Sequence, residues 1–272
     1  MKKRLPLGLV VEGSSSNFAL LRLPTVPDEL GPIKSATVRV ARRLSNFLKA
    51  GYAVSQYEDL QAARLILLRV PDSAVKRVVD EIQHSELSFK DLSFLLCETW
   101  LTTDVLQPLV ERGASVATAV SVPSSREKWF VVEGQLPAMR QVRHFIERNE
   151  GKAFEIRHGT KQLYFAARLL TTALPLPLFF DAQQALRASG ITGNHLYALL
   201  NEMASEMFRS SVSGARMNWG GPLTECSEET VSNYLAALRG SHPQIAQTVD
   251  EQLIWARRKI PAQRLPAGAL DL

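Results

Sequence analysis

The sequence has little cysteine: Cys97 and Cys226 are the two, far apart and without a C-x-x-C spacing. That excludes a disulfide framework and a cysteine zinc site. The five histidines, at 84, 144, 158, 195 and 242, show no H-x-x-x-H or H-E-x-x-H spacing, so no metal site is expected. Long apolar runs are also missing. The longest, Leu169–Phe180, is interrupted by Pro175 and Pro177, and a membrane span needs about 20 residues. The run Leu5–Val11 is too short for the apolar part of a secretory signal and has no small-residue cleavage pattern. A cytoplasmic protein with no membrane partner is expected. Charge of one sign is not concentrated either. The net charge is +5, but Lys2-Lys3-Arg4, Arg42-Arg43 and Arg257-Arg258-Lys259 read as solvated termini or helix faces. Without a basic stripe interleaved with aromatics, no nucleic-acid partner is expected.

What is present is an alternation. At 272 residues the chain has room for two cores. Leu7–Val11, Gly31–Lys34, Tyr52–Val54, Arg64–Val70, Leu92–Leu96 and Ser115–Val120 read as short apolar strands. Helical spacing falls between them, at 36–50, 74–82 and 104–112. Trp129–Val132 reads as a last strand, 137–149 as a helix, and Phe154-Glu155-Ile156 as one more apolar turn. Strands separated by helices of this length imply βαβ crossovers and a parallel sheet. From Lys161 onward strand signals stop. Helical segments fill 161–189, with a break at Pro175 and Pro177, then 193–211, 227–239 and 242–259. The expected architecture is a Rossmann-type α/β domain over residues 1–157 and an all-helical domain over 158–272.

In a Rossmann domain the first strand-to-helix turn holds a pyrophosphate on backbone N–H groups. Here that turn reads V-V-E-G-S-S-S-N-F-A-L, and Gly13, Ser14, Ser15, Ser16 and Asn17 are the candidate cofactor contacts. The three glycine positions of G-x-G-x-x-G fall on Glu12, Ser14 and Asn17, a departure that weakens the fingerprint. About twenty residues on, Lys34 and Ser35, with Arg39 one turn later, suit the 2′-phosphate of NADP; a solvated lysine at a helix cap is the alternative. Cys97 stands at a strand end where such folds bind ligands, though a cysteine after L-S-F-L-L also suits core packing.

The motifs V-V-x-G-S-S-S-N, L-I-L-L-R-V-P-D-S, V-V-E-G, K-Q-L-Y-F-A-A and G-G-P-L-T-x-x-S-E-E-T-V, taken in order, resemble one little-characterised family. Its members pair a Rossmann-like NADP-binding domain with a helical domain of unknown function. They are divergent relatives of 6-phosphogluconate dehydrogenase, pyrroline-5-carboxylate reductase and F420-dependent NADP oxidoreductase. The resemblance implies a C-terminal domain like that of 6-phosphogluconate dehydrogenase, a homodimer formed through it, and a small-molecule substrate held between the domains. It implies roles in catalysis for Lys161, Tyr164 and Thr224, and a backbone contact to the cofactor at Val70 and Pro71, whose V-P-D matches the family's. The histidine that usually follows the tyrosine is Phe165 here, the Arg-Gly-Asp stretch after the G-P segment is Glu225-Cys226-Ser227, and the histidine-proline pair after the fifth strand has no counterpart. Two functions remain open on this reading: an NADP-dependent oxidoreductase-like protein of unknown substrate, and a catalytically silent relative that binds a nucleotide or metabolite for regulation.

Overall fold

The computed structural model describes residues 7–13, 19–123, 127–212 and 228–259. The chain forms two compact units, Met1–Ala167 and Arg168–Leu272. The first is built on an eight-stranded sheet with strand order β3-β2-β1-β4-β5-β6-β7-β8. The strands are β1 (Leu7–Val11), β2 (Leu30–Ser35), β3 (Tyr52–Val54), β4 (Leu65–Arg69), β5 (Ser93–Cys97), β6 (Ser115–Ser121), β7 (Trp129–Gly134) and β8 (Lys152–Glu155).

β1 to β6 are mutually parallel and follow the 3-2-1-4-5-6 order of a Rossmann sheet. β4 shows why the pattern was so legible. Helices cover both faces of a parallel sheet, so L-I-L-L has no polar alternation. Leu65 and Leu67 face a layer shared with Ala117, Val142 and Ile146. Ile66 and Leu68 face the opposite layer with Val75, Val78, Val79 and Ile82.

The helices of this unit are α1 (Val26–Glu29), α2 (Val38–Leu48), α3 (Asp72–Gln83), α4 (Gln107–Glu111) and α5 (Leu136–Arg148). A short 3-10 turn at Thr103–Leu106 leads into α4. Two features depart from the expected all-parallel sheet. β7 pairs antiparallel to β6. The link between them, residues 122–128, is too short for a crossover, which takes about a dozen residues. The segment read as an apolar turn is β8, a four-residue edge strand parallel to β7. Its charged ends, Lys152 and Glu155, are exposed, as suits a strand with one unpaired side. Gly134, ending β7, lies so near β6 that a Cβ there would stand 2.5 Å from the Val116 carbonyl oxygen.

The helical elements that follow are α6 (Lys161–Thr172), α7 (Leu176–Ala188), α8 (Gly193–Val212), α9 (Glu228–Ser241) and α10 (Pro243–Lys259). The stretch Lys161–Ala188 has the length and apolarity of a membrane span. A turn at 173–175 divides it into helices of 12 and 13 residues, each about 20 Å long and shorter than the hydrocarbon layer. The second unit has a small apolar core of Val231, Leu235 and Leu253, joined by Val249. Arg239 bridges α9 to α10 by an ion pair to Asp250 at 2.8 Å.

Candidate functional site

All the geometry below belongs to the first unit and its sheet edge at the C-terminal ends of β1, β2, β4 and β5, where open α/β sheets bind ligands. At the end of β1, the Glu12 amide continues the ladder to the Arg69 carbonyl at 3.1 Å. Gly13 follows at φ +76, and a Cβ there would lie 3.1 Å from Pro71 Cγ. The left-handed backbone and the tight approach to Pro71 both call for glycine. The structure therefore brings Gly13 and Pro71 together. Ser14, Ser15, Ser16 and Asn17 lie outside the described residues, as does Thr224.

At the end of β2, the Ser35 hydroxyl donates to the Val11 carbonyl at 2.8 Å, and the residue is buried. That donor is committed to the sheet. Lys34 Nζ donates to the Ser35 carbonyl at 2.8 Å and sits 4.7 Å over the Tyr57 ring. Arg39 is exposed on the first turn of α2. Glu12, which occupies the first glycine position of the fingerprint, is ion-paired with Arg77 of α3. Arg77 also donates to Glu81 at 2.7 Å, and the Tyr57 hydroxyl donates to the second Glu81 oxygen at 2.9 Å.

β4 and β5 supply the other half of the edge. Val70 is buried in the core, Pro71 is exposed, and Asp72 opens α3. The Asp72 carboxylate accepts the Thr99 hydroxyl at 2.7 Å and the Trp100 amide at 3.1 Å, which ties α3 to the end of β5. Cys97 is wholly buried and its thiol donates to the Leu95 carbonyl at 3.3 Å. Burial, with the Glu98 charge beside it, pushes the thiol pKa up. Its side chain is core, so the expected cofactor contact at Cys97 is left to the backbone there. Glu98 adopts a left-handed φ of +54 and accepts the Ser121 amide at 3.2 Å, a conformation uncommon for a residue with a side chain and concentrated at functional sites.

Lys161, the first residue of α6, is 2% exposed, and its Nζ donates to the Leu101 carbonyl at 2.5 Å. Burial pulls its pKa down to about 8, against the opposing pull of Glu133, Asp72, Cys97 and Glu98. Lys161 and Asp72 thus belong to one electrostatic neighbourhood. Glu133 is buried on β7; one oxygen accepts the Gly159 amide at 2.7 Å, and the other has no partner among the described residues. His158 stands 3.6 Å from Glu133 and 3.5 Å from Asp104. Phe165, at the position where the resemblance expects histidine, is buried and stacks on the half-exposed Trp100 at 3.8 Å between ring centroids. Half-buried Tyr164 lies beside it at 5.5 Å.

Arg77, Tyr57, Glu81, Asp72, Trp100 and Glu133 escaped the sequence reading as site residues. Two carried a signal: a glutamate inside the apolar strand W-F-V-V-E-G, and a tryptophan right after the strand end C-E-T. The other four lie on an ordinary charged helix face or in a loop, and only the fold brings them to the edge.

Residues 128–251 match the model of a family described as a domain of unknown function, DUF2520. No curated protein matches the chain. Among solved structures, protein TM1727 from Thermotoga maritima is similar at a TM-score of 0.65 and 17% identity, over 93% of this chain and 98% of that one. An imine reductase from Myxococcus stipitatus in complex with NADP+ is similar at 0.65 and 12% identity, over 94% and 96%. A pyrroline-5-carboxylate reductase from Coxiella burnetii is similar at 0.60 and 12% identity, over 94% and 96%. At such identities the likeness establishes the fold: this chain has the architecture of these reductases, a Rossmann domain followed by a helical domain.

Proposed function

We propose that the protein is an NADP-dependent oxidoreductase acting on a small molecule, with Lys161 as the proton-transferring group. The observation that carries this reading is Lys161 itself: buried, held on the Leu101 carbonyl, and with its pKa lowered to about 8 at the ligand-binding edge of a Rossmann sheet. A group titrating near neutral pH at such an edge is suited to acid–base work. The donor set suits the cofactor: Gly13 turns the chain at the end of β1 against Pro71, and Lys34 and Arg77 offer cationic donors on that edge. NADPH would supply the hydride. The chain's own residues orient and polarise the substrate, Lys161 delivering a proton to the oxygen or nitrogen of the bond whose carbon takes the hydride, with Trp100, Phe165 and Tyr164 forming an apolar wall beside it. Thr224 keeps the role that the resemblance implies.

A second copy of the chain is the proposed partner. Leu174, Leu176, Phe180, Tyr197, Met203 and Met207 are large apolar side chains left exposed on α7, on α8 and in the turn before α7, more than a lone soluble unit usually shows. A catalytically silent relative that binds a nucleotide or metabolite is the second reading. It is favoured by Phe165 in the histidine position and by Glu12 in the first glycine position.

Thermal-shift titration with NADPH, NADH and reduced F420 tests the first reading. Saturation with NADPH at a hundredfold excess over the dissociation constant stabilises the native state by about 2.7 kcal/mol. A melting temperature unmoved by all three retires it. NADPH binding without turnover across a panel of carbonyl and imine substrates supports the silent relative.

A further inference from the structure

Five side chains from distant parts of the chain meet at the C-terminal edge of β1 and β2. Arg77 donates to Glu12 and Glu81 through its two terminal nitrogens. The Tyr57 hydroxyl donates to Glu81, and the Lys34 ammonium lies over the Tyr57 ring. Exposed ion pairs contribute little to stability, so stability alone is a poor reason for two carboxylates to converge on one arginine. What the arrangement does is hold a guanidinium in one orientation. The carboxylate of Glu12 is 12% exposed, whereas the Arg77 side chain is 55% exposed. The more enclosed acid is the anchor and the cation faces outward.

A guanidinium carries five N–H donors and an ammonium three. Glu12 and Glu81 each accept one from Arg77, and the Ser35 carbonyl accepts one from Lys34. Donors therefore remain on both cations, on the same sheet edge, where a phosphate would form charge-assisted bonds. The end of β2 is where a Rossmann sheet reads the adenosine ribose. There the Ser35 hydroxyl is already bound to Val11. The cation that complements Lys34 comes from α3 instead, 43 positions further along the chain by residue number.

We propose that Arg77, oriented by Glu12 and Glu81, reads the adenosine 2′-phosphate together with Lys34 and so sets the preference for NADP over NAD. This rests on the nucleotide-binding reading given above. Glu12 has two opposed effects in this arrangement: it positions the guanidinium, and its negative charge tempers affinity for the phosphate.

Isothermal titration calorimetry of the full chain with 2′,5′-ADP and with 5′-ADP tests it without a substrate. The wild-type chain binds 2′,5′-ADP at least tenfold more tightly, the effect of one or two charge-assisted contacts. Arg77→Ala abolishes that preference, while Arg77→Lys keeps part of it because a charge remains. Glu12→Gln keeps the hydrogen bond, removes the charge, and tightens 2′,5′-ADP several-fold. An unchanged melting temperature in Arg77→Lys guards against misfolding. A preference that survives Arg77→Ala overturns the proposal, and so does equal binding of the two nucleotides by the wild-type chain, which leaves nucleotide binding itself standing. Binding of neither overturns this inference and the nucleotide-binding reading together.

Discussion

The two units solve the same problem, covering apolar surface, with very different completeness. In the first, the sheet is sealed on both faces, and Phe94, Leu67, Ile66 and Leu9 are fully buried. In the second, the buried core of α9 and α10 is Val231, Leu235 and Leu253, while Phe180 is 61% exposed and Tyr234, Met203 and Trp255 are also exposed. A parallel sheet buries every residue of its central strands, so it completes its own core. Helices expose whatever face lacks a neighbour. The difference teaches that the sheet unit holds its charged and polar groups against a finished core, whereas the helical unit leaves large apolar side chains in solvent.

The sharpest way to test that contrast is to damage the sheet core. Phe94→Ala, in the layer beneath α3, is expected to destabilise the protein by about 3–5 kcal/mol through lost burial and a residual cavity. Denaturant unfolding reads the effect, and a cost under about 1 kcal/mol would show that the core is not sealed as described. Lys161→Met comes next and has the opposite sign. Burial holds the folded pKa near 8, below the ordinary lysine value of 10.5, so between those values the unfolded chain binds the extra proton and stability rises with pH. The penalty is fully present below about pH 8. Lys161→Met should stabilise the protein at pH 7 by on the order of 2 kcal/mol, after allowing for the lost bond to Leu101. That gain should vanish by about pH 10.5; a gain independent of pH would show that Lys161 is charged in the fold at ordinary affinity. The smallest effect on folding is expected in the helical unit. Phe180→Asp should leave the circular dichroism of the chain unchanged and shift sedimentation equilibrium toward monomer, with dimer affinity falling about tenfold or more. A wild-type chain that stays monomeric at tens of micromolar would remove the second-copy proposal.

The proton-transfer reading adds a rate signature. If the Lys161 ammonium donates the proton, NADPH oxidation with a turned-over substrate falls as pH rises through about 8. A rate that climbs through that range assigns the donor elsewhere.

Much of the sheet could be read from residues alone because its signals are local. L-G-L-V-V, L-I-L-L-R and S-F-L-L-C are short, largely apolar and separated by helical spacing, so their burial and parallel pairing followed. β8 did not follow, since K-A-F-E is short and charged at both ends, and an edge strand needs only one partner. The direction of β7 turned on loop length rather than on its own residues. In the site, Gly13, Pro71, Lys34 and Lys161 could be singled out from strand ends and motif positions. Ser35 and Cys97 have the same sequence credentials, yet the fold turns one hydroxyl into the sheet and the other side chain into the core.

The chain's local chemistry by itself determined an alternating α/β unit followed by helices, because hydrophobic period and crossover length act over a few residues. Tertiary structure alone decided which charges meet: Arg77 with Glu12 across 65 residues, and Lys161 with the Leu101 carbonyl across 60. Such pairs form where different strands end at one edge, and no sequence period spans the distance between those ends.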